Sequence, residues 1–242
     1  PRLGGVCLNV GCIPSKALIH ASDLAYEVQH ASRLGITVDG LAVDLAKMVA
    51  WKDGIVERLT GGIRFLMQKS GVEIVTGRAE LASDRSLTVE TEQGQVEIQF
   101  EQAVLATGST PLPLAGFPHD GARIIGSTEA LALDRVPERF VVIGGGYIGL
   151  ELGSVYAKLG SKVTVVEFLP ALAPNLDAEV GQVLTRRLKQ LGVKLLLGHR
   201  ALRYEAGEPG RVVVADPEGA EKTVDADVVM VSIGRRPTSA GL

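Results

Sequence analysis

Phe140-Val141-Val142-Ile143-Gly144-Gly145-Gly146-Tyr147-Ile148-Gly149 carries the strongest architectural signal in the chain. An apolar run of strand length enters a G-x-G-x-x-G turn, and apolar residues at helical spacing leave it. Gly144 permits the tight turn, Gly146 lets a phosphate approach the backbone, and Gly149 lets helix and strand pack closely. The free N–H groups that open such a helix supply positive potential for a pyrophosphate. Residues 140–143 then read as a strand, 147–159 as a helix, 162–167 as a strand, 177–191 as a helix and 193–197 as a strand. This alternation implies an α/β fold built on a Rossmann-like parallel sheet. The second strand ends on Glu167, where a carboxylate accepts a hydrogen bond from a ribose 2′-OH and repels a 2′-phosphate. That chemistry favours NAD over NADP. The competing reading is a glycine-rich turn that binds nothing; turn, flanking elements and acid together argue against it.

Further along, residues 201–205, 211–215 and 222–224 read as a strand meander. An apolar run at 228–233 leads into Gly234-Arg235-Arg236-Pro237. Upstream, residues 14–34 have apolar residues at helical spacing, with Pro14 suited to the first turn and Gly35 to the stop. A second helix is expected over 44–69, capped by Asp44 and stopped at Gly71, with Met48, Trp51, Ile55, Leu59, Ile63 and Leu66 facing inward. Short strands are expected at 72–76, 87–90, 96–100 and 103–106, with Glu92-Gln93-Gly94-Gln95 as a hairpin connection. Residues 107–118 hold three prolines and two glycines and read as a connector.

Of the 242 residues, 46% are apolar and 22% charged, ordinary values for a globular protein, and the net charge is −3. No long run of one sign marks a nucleic-acid or anionic-membrane partner. No apolar stretch has the length of a transmembrane helix. Two cysteines do not make a secreted disulfide scaffold, so a reducing, cytoplasm-like setting is expected. A cysteine pair there is more often chemistry or metal than a staple.

Cys7 and Cys12 are separated by Leu8-Asn9-Val10-Gly11. Gly11 relaxes the backbone and helps a short loop close into a disulfide. Cys12 stands just before Pro14 at a helix start, where the helix dipole stabilises a thiolate, and Lys16 adds positive charge one turn in. A zinc site needs about four ligands, and His20, His30, His119 and His199 are scattered without ligand spacing, so no metal is expected. A structural disulfide and two unrelated thiols remain alternatives to a redox pair on these residues alone.

The surrounding stretch, Gly4-Gly5-Val6-Cys7-Leu8-Asn9-Val10-Gly11-Cys12-Ile13-Pro14-Ser15-Lys16, closely resembles the active-site signature of the pyridine nucleotide–disulfide oxidoreductases. Further matches follow in order at Ala106-Thr107-Gly108-Ser109, at residues 144–151 and at Gly234-Arg235-Arg236-Pro237. Within the family, Ile13-Pro14-Ser15-Lys16 and Glu167 resemble the NAD-dependent, lipoamide-linked members; glutathione-linked members use NADPH and place basic residues near the end of the second strand. The resemblance implies a flavoprotein with FAD and NAD as cofactors. Cys12 would be the thiol facing the flavin and Cys7 the interchange thiol. Lys16 would lie beside the flavin ring, with Glu151 as its ion-pair partner near the nicotinamide pocket. Leu3, Gly4, Gly5, Val6, Cys7, Lys16, Ala79, Thr107, Gly108 and Ser109 would contact FAD. Ile143, Gly144, Gly145, Gly146, Tyr147, Ile148, Gly149, Leu150, Glu167, Ala201 and Gly234 would contact NAD, with Tyr147 a candidate cover for the nicotinamide pocket.

The same resemblance divides the chain into a partial FAD-binding domain with the dithiol at 1–112, a connector at 113–136, an NAD-binding Rossmann domain at 137–235 and a return toward the FAD domain at 236–242. Family members carry an earlier glycine motif for FAD and a C-terminal interface domain, so the sequence is expected to be an internal segment of such an enzyme. The implied partners are the lipoyl groups of 2-oxo acid dehydrogenase complexes, with a homodimer as the assembly and a cytoplasmic or mitochondrial-matrix location. A stand-alone NAD-binding module, and a mercuric- or glutathione-type reductase, are the competing functional readings.

Overall fold

The computed structural model describes residues 2–240. In chain order its elements are helices α1 (Gly5–Val10) and α2 (Cys12–Gln29), a 3-10 turn (Ala31–Leu34), helix α3 (Leu45–Lys69), and strands β1 (Arg78–Leu81), β2 (Ser86–Thr91), β3 (Gly94–Gln99), β4 (Ser109–Pro111) and β5 (Ile124–Ile125). They continue with α4 (Ser127–Ala130), β6 (Arg139–Ile143), α5 (Tyr147–Lys158), β7 (Lys162–Glu167), α6 (Ala178–Gln190) and β8 (Lys194–Leu197). Strands β9 (Arg200–Glu205), β10 (Gly210–Ala215), β11 (Glu221–Ala226), β12 (Val228–Val231) and β13 (Arg235–Pro237) complete the chain.

The parallel sheet is the one the glycine turn announces. Its order is β5-β12-β6-β7-β8, and every neighbouring pair is parallel. Both faces are covered, which explains why its strands read as unbroken apolar runs. Alternation along β6 divides the core. Phe140 and Val142 pack with Leu150, Leu152, Val155 and Tyr156 on the helical face. Val141 and Ile143 pack with Val212, Val214 and Val229 against the meander β11-β10-β9 on the other. Each such side chain contributes roughly 1.5–3 kcal/mol by leaving water. Tyr156 lies under Phe140 with ring centroids 4.8 Å apart, and its hydroxyl donates to the Ala130 carbonyl at 2.5 Å.

Arg139 ties the entry of the central strand to the entry of β12. Its Nη2 donates to Asp227 Oδ1 at 2.7 Å, and its backbone N–H donates to Asp227 Oδ2 at 2.8 Å. The guanidinium and the amide hold the Asp227 carboxyl below its usual value of 3.8. A depressed carboxyl contributes stability above its unfolded pKa and loses it as the pH falls through the folded one. Asp227→Asn should therefore cost about 1 kcal/mol at neutral pH. In urea unfolding, the gap between parent and variant should close between about pH 5 and pH 2; a gap independent of pH contradicts the assignment.

Upstream, the expectations need correction in four places. The helix expected at 14–34 begins at Cys12 and breaks at His30, and a 3-10 turn carries the chain to Gly35, whose φ of 79° makes the stop. The second helix has the expected Asp44 cap, with the Asp44 side chain accepting from Lys47 N–H at 3.0 Å. Its buried face, however, is rotated by one residue: Leu45, Lys52 and Val56 are buried, while Trp51, Leu59 and Leu66 are exposed. Two apolar stripes run along this helix, and packing against α2 and the loop after α4 selects the one bearing Lys52, whose Nζ donates to the Leu131 carbonyl at 2.9 Å. Residues 72–76 and 103–106 are not strands, and Val104 is 92% exposed. An apolar segment with no neighbouring backbone to pair with has no ladder to join. A separate three-stranded sheet, β1-β2-β3, gains β1, which pairs antiparallel with β2, and its hairpin turns through Glu92-Gln93 with Thr91 opposite Gly94.

Candidate active site

Cys7 and Cys12 form a disulfide, with their α-carbons 4.6 Å apart. The segment between them is helical rather than a plain loop: Cys7 lies within α1, and Gly11 is the break before α2. A β-carbon on Gly11 would come within 2.9 Å of the Val6 carbonyl oxygen and 3.1 Å of Cys7 Cα, so only glycine lets the short α1 fold onto the start of α2 here. Asn9 secures the segment by donating from Nδ2 to the carbonyls of Leu3 and Gly5, both at 2.9 Å. Leu3, Gly4, Gly5, Val6 and Cys7 thus form one tight turn and helix, with Gly4 at φ 101°. Cys12 is the first residue of the 18-residue α2. A thiolate at that position faces the helix N-terminus, the arrangement that favours the charged form of sulfur. Both cysteines are exposed.

One turn into α2, Lys16 Nζ pairs with Glu151 Oε1 at 2.5 Å. Ser15 Oγ donates to the other carboxylate oxygen of Glu151 at 3.0 Å. Glu151 lies in the second turn of α5, the helix that the glycine turn opens. The dithiol helix and the glycine-turn helix are therefore joined through both oxygens of one carboxylate. Sequence reading paired Lys16 with Glu151 but gave Ser15 no role; its position beside Lys16 was the available signal.

The glycine turn has the geometry its spacing implies. Gly144 has φ 108°, and a β-carbon there would lie 2.5 Å from the Ser232 carbonyl oxygen. One on Gly149 would lie 2.6 Å from Ser232 Oγ and 2.9 Å from Val142 Cγ1. Gly146 differs: an added β-carbon meets nothing within 4 Å, and its φ of −80° suits any residue. Nothing in the chain itself calls for glycine there, whereas a bound phosphate against the backbone does. Tyr147, Ile148 and Leu150 follow in the first turn of α5; Leu150 is buried and Tyr147 is 72% exposed beside the turn. Glu167, at the end of β7, reaches back to this turn. Its Oε2 accepts from Gly145 N–H at 2.5 Å and its Oε1 from Leu169 N–H at 2.7 Å.

Two neighbours of the turn escaped the sequence reading. Ser232 Oγ donates to the Ile143 carbonyl at 3.2 Å. Ala173, at a φ of 45°, donates its N–H to the Gly145 carbonyl at 2.9 Å, so the loop after β7 folds over the turn. Only Pro170 and Pro174 mark that loop in the sequence.

Thr107, Gly108 and Ser109 meet the return of the chain. Thr107 Oγ1 donates to the Thr238 carbonyl at 2.6 Å, and Thr238 N–H donates to the Gly108 carbonyl at 3.0 Å. Strand β4 pairs with β13, and Gly234 accepts Leu112 N–H at 3.0 Å. Ala79 is exposed on β1, opposite Val89. Ala201 lies on β9, half-buried against the meander-side core. Among the described residues, no group of three or more His, Cys, Asp or Glu is placed to hold a metal ion, and no helix is long and apolar enough to cross a membrane.

Comparison with known proteins agrees with this geometry. The model of the pyridine nucleotide-disulphide oxidoreductase family matches residues 2–242. The dihydrolipoyl dehydrogenase of Pseudomonas aeruginosa is 48% identical over 243 residues, covering 99% of this chain and 52% of that protein. Dihydrolipoyl dehydrogenase 2 of Haloarcula marismortui is 43% identical over 240 residues, covering 98% and 51%. Among solved structures, LpdA of Mycobacterium tuberculosis superposes with a TM-score of 0.89 at 27% identity, covering all of this chain and 52% of that one. The flavoprotein disulfide reductase RclA of Escherichia coli superposes with a TM-score of 0.80 at 26% identity, covering 99% and 50%. The chain spans about half the length of the curated relatives it matches. With its glycine turn, its bonded cysteine pair and a family match over nearly its whole length, the chain belongs to the pyridine nucleotide-disulphide oxidoreductases.

Proposed function

We propose that this chain carries the dithiol and the NAD-binding unit of a dihydrolipoyl dehydrogenase, which oxidises dihydrolipoamide to lipoamide and reduces NAD to NADH. The observation that carries the reading is the Ser15/Lys16–Glu151 junction, which joins the helix starting at Cys12 to the helix starting at the glycine turn. Two-electron traffic between a thiol pair and a nicotinamide requires those two helices to share one site.

The residues fit both cofactors. For NAD, the open space beside Gly146 and the free N–H groups opening α5 suit a pyrophosphate. Glu167 is held at the turn by two amide donors, and its remaining lone pairs suit ribose hydroxyls. Ile143 to Leu150 would line the dinucleotide, with Ala201 and Gly234 at its margin. For FAD, Leu3 to Cys7, Lys16, Ala79 and Thr107 to Ser109 would supply the contacts; the exposed disulfide and the Lys16 ammonium are the groups suited to a flavin edge. FAD, when bound, supplies the hydride chemistry between thiols and nicotinamide. The chain's residues do the rest. A dihydrolipoyl thiolate attacks Cys7 Sγ, the Cys7–Cys12 bond breaks, and the electron pair leaves on Cys12 Sγ, where the α2 N-terminus and Lys16 stabilise it. Attack by the second lipoyl sulfur closes the lipoyl ring and releases Cys7 as a thiolate. Glu151 pairs with the Lys16 ammonium and offsets part of its charge.

In this reading, residues 1–112 are a partial FAD domain, 113–136 a connector, 137–235 the NAD domain and 236–242 the return. The partners are the lipoyl groups of 2-oxo acid dehydrogenase complexes, the assembly is a homodimer and the setting is cytoplasmic. The test compares NADH with NADPH, and lipoamide with glutathione disulfide, on FAD-loaded protein. NADH and lipoamide should be preferred. Glu167→Ala should shrink the NADH preference by about tenfold, one 2′-OH hydrogen bond to a charged group. Preference for NADPH or for glutathione disulfide overturns the assignment.

A further inference from the structure

A second ion pair joins the same two helices. Lys158 Nζ binds Asp23 Oδ1 at 2.6 Å, and the Lys158 side chain is only 9% exposed. Asp23 is seven residues after Lys16 on α2, and Lys158 seven after Glu151 on α5. Two turns separate the rungs on both helices, so the helices run parallel and in heptad register. Leu18, between the rungs, shares one buried cluster with Leu150, Leu152 and Val155. The charge order is reversed: cation to anion from α2 to α5 at the first rung, anion to cation at the second.

That reversal selects one register. A slip of one heptad brings Lys16 against Lys158, or Asp23 against Glu151, and both pairings repel. A slip of one turn replaces Asp23 opposite Lys158 with Ile19 or with Glu27, and either way Lys16 leaves Glu151; with Ile19 there the buried ammonium loses its counter-charge, which costs several kcal/mol. Lys158 also lies in the last turn of α5, where the helix dipole favours a cation. The first rung alone specifies neither direction nor register, because both Lys16 and Glu151 can reach water.

We infer that Asp23 and Lys158 are positioning residues: they fix the register of the dithiol helix on the glycine-turn helix and thereby keep Glu151 on Lys16. This inference rests on the dithiol reading. Its consequence concerns how readily the disulfide opens. When a dithiothreitol thiolate attacks Cys7 Sγ, the Cys7–Cys12 bond breaks and the electron pair leaves on Cys12. The reagent's second thiolate then closes its own disulfide and releases Cys7. Lys16 stabilises the departing Cys12 thiolate less while Glu151 neutralises it.

The experiment measures the rate of that opening in the 242-residue chain at fixed pH, alongside the thermal midpoint. Asp23→Lys and Lys158→Asp should each speed opening by about threefold, the effect of one partly exposed ion pair. Glu151→Gln should give the same acceleration. The double variant Asp23→Lys/Lys158→Asp should return to within about twofold of the parent, because it restores the rung with opposite sense. If the single variants melt earlier yet open at the parent rate, or if the double variant fails to recover while Glu151→Gln still accelerates, the positioning role is overturned. A parent disulfide that opens no faster than oxidised glutathione, with Glu151→Gln silent, removes the dithiol reading and this inference with it.

Discussion

Cys12→Ser should lower lipoamide reduction by NADH in the FAD-loaded protein by about 10⁴-fold or more, the scale of losing a nucleophile that works as part of a unit. Serine forms no disulfide, and its alkoxide is far too basic to leave or to store an electron pair. Cys7→Ser should lose turnover as completely, because the interchange sulfur is gone. The two variants should differ in the thiol each leaves behind. With Cys7 removed, Cys12 remains at the start of an 18-residue helix with Lys16 one turn on. With Cys12 removed, Cys7 remains inside a six-residue helix with glycine at the following turn. Near pH 6.5 the lone Cys12 should be alkylated about tenfold faster than the lone Cys7. Equal rates contradict the assignment of Cys12 as the stabilised thiolate.

The glycine turn yields the second large effect, and its three glycines should respond differently. Gly149→Ala places a β-carbon 2.6 Å from Ser232 Oγ and 2.9 Å from Val142 Cγ1. Gly144→Ala adds a left-handed φ of 108° and a backbone oxygen 2.5 Å away. Each should destabilise the chain by about 3 kcal/mol, read as a lower urea midpoint. Gly146→Ala meets nothing and should leave the midpoint unchanged. Its added methyl occupies the space a pyrophosphate needs, so NADH binding should weaken by about 10²-fold, the loss of one or two charge-assisted hydrogen bonds. A Gly146→Ala protein that folds and binds NADH as tightly as the parent places the dinucleotide elsewhere.

The legibility of the sequence follows the physics of each element. Strands β6, β7 and β12 are buried on both faces, so their apolar runs and the glycine turn between β6 and α5 were plain. The α3 helix was plain in period and ambiguous in phase. Trp51, Leu59 and Leu66 form as good an apolar stripe as Leu45, Val49 and Val56, and only tertiary packing chooses between them. Residues 72–76 and 103–106 have strand composition but no neighbour to pair with. Strand β1, with Arg78 and Glu80 among its four residues, lacks strand composition yet pairs with β2.

Among the candidate site residues, the Cys7–Cys12 bond and the Lys16–Glu151 pair were legible through the dithiol motif and the glycine-turn motif. The Glu167 carboxylate was legible through its place at a strand end. Ser232 and Ala173 were not, because a hydroxyl or an amide that braces a turn from elsewhere in the chain leaves no local spacing. The rung formed by Asp23 and Lys158 was hidden for the same reason: each residue alone is an ordinary helix charge, and only the packing of α2 on α5 makes them partners.

In the proposed function, Cys7 and Cys12 exchange electrons with a nicotinamide bound at the glycine turn. The direct measurement is a count of free thiols per chain after anaerobic incubation of the FAD-loaded protein with NADH, quenched in acid and labelled. Both Cys7 and Cys12 should appear as free thiols, and Gly146→Ala should need proportionally more NADH to reach the same count. A disulfide still closed at NADH concentrations that saturate binding contradicts that exchange.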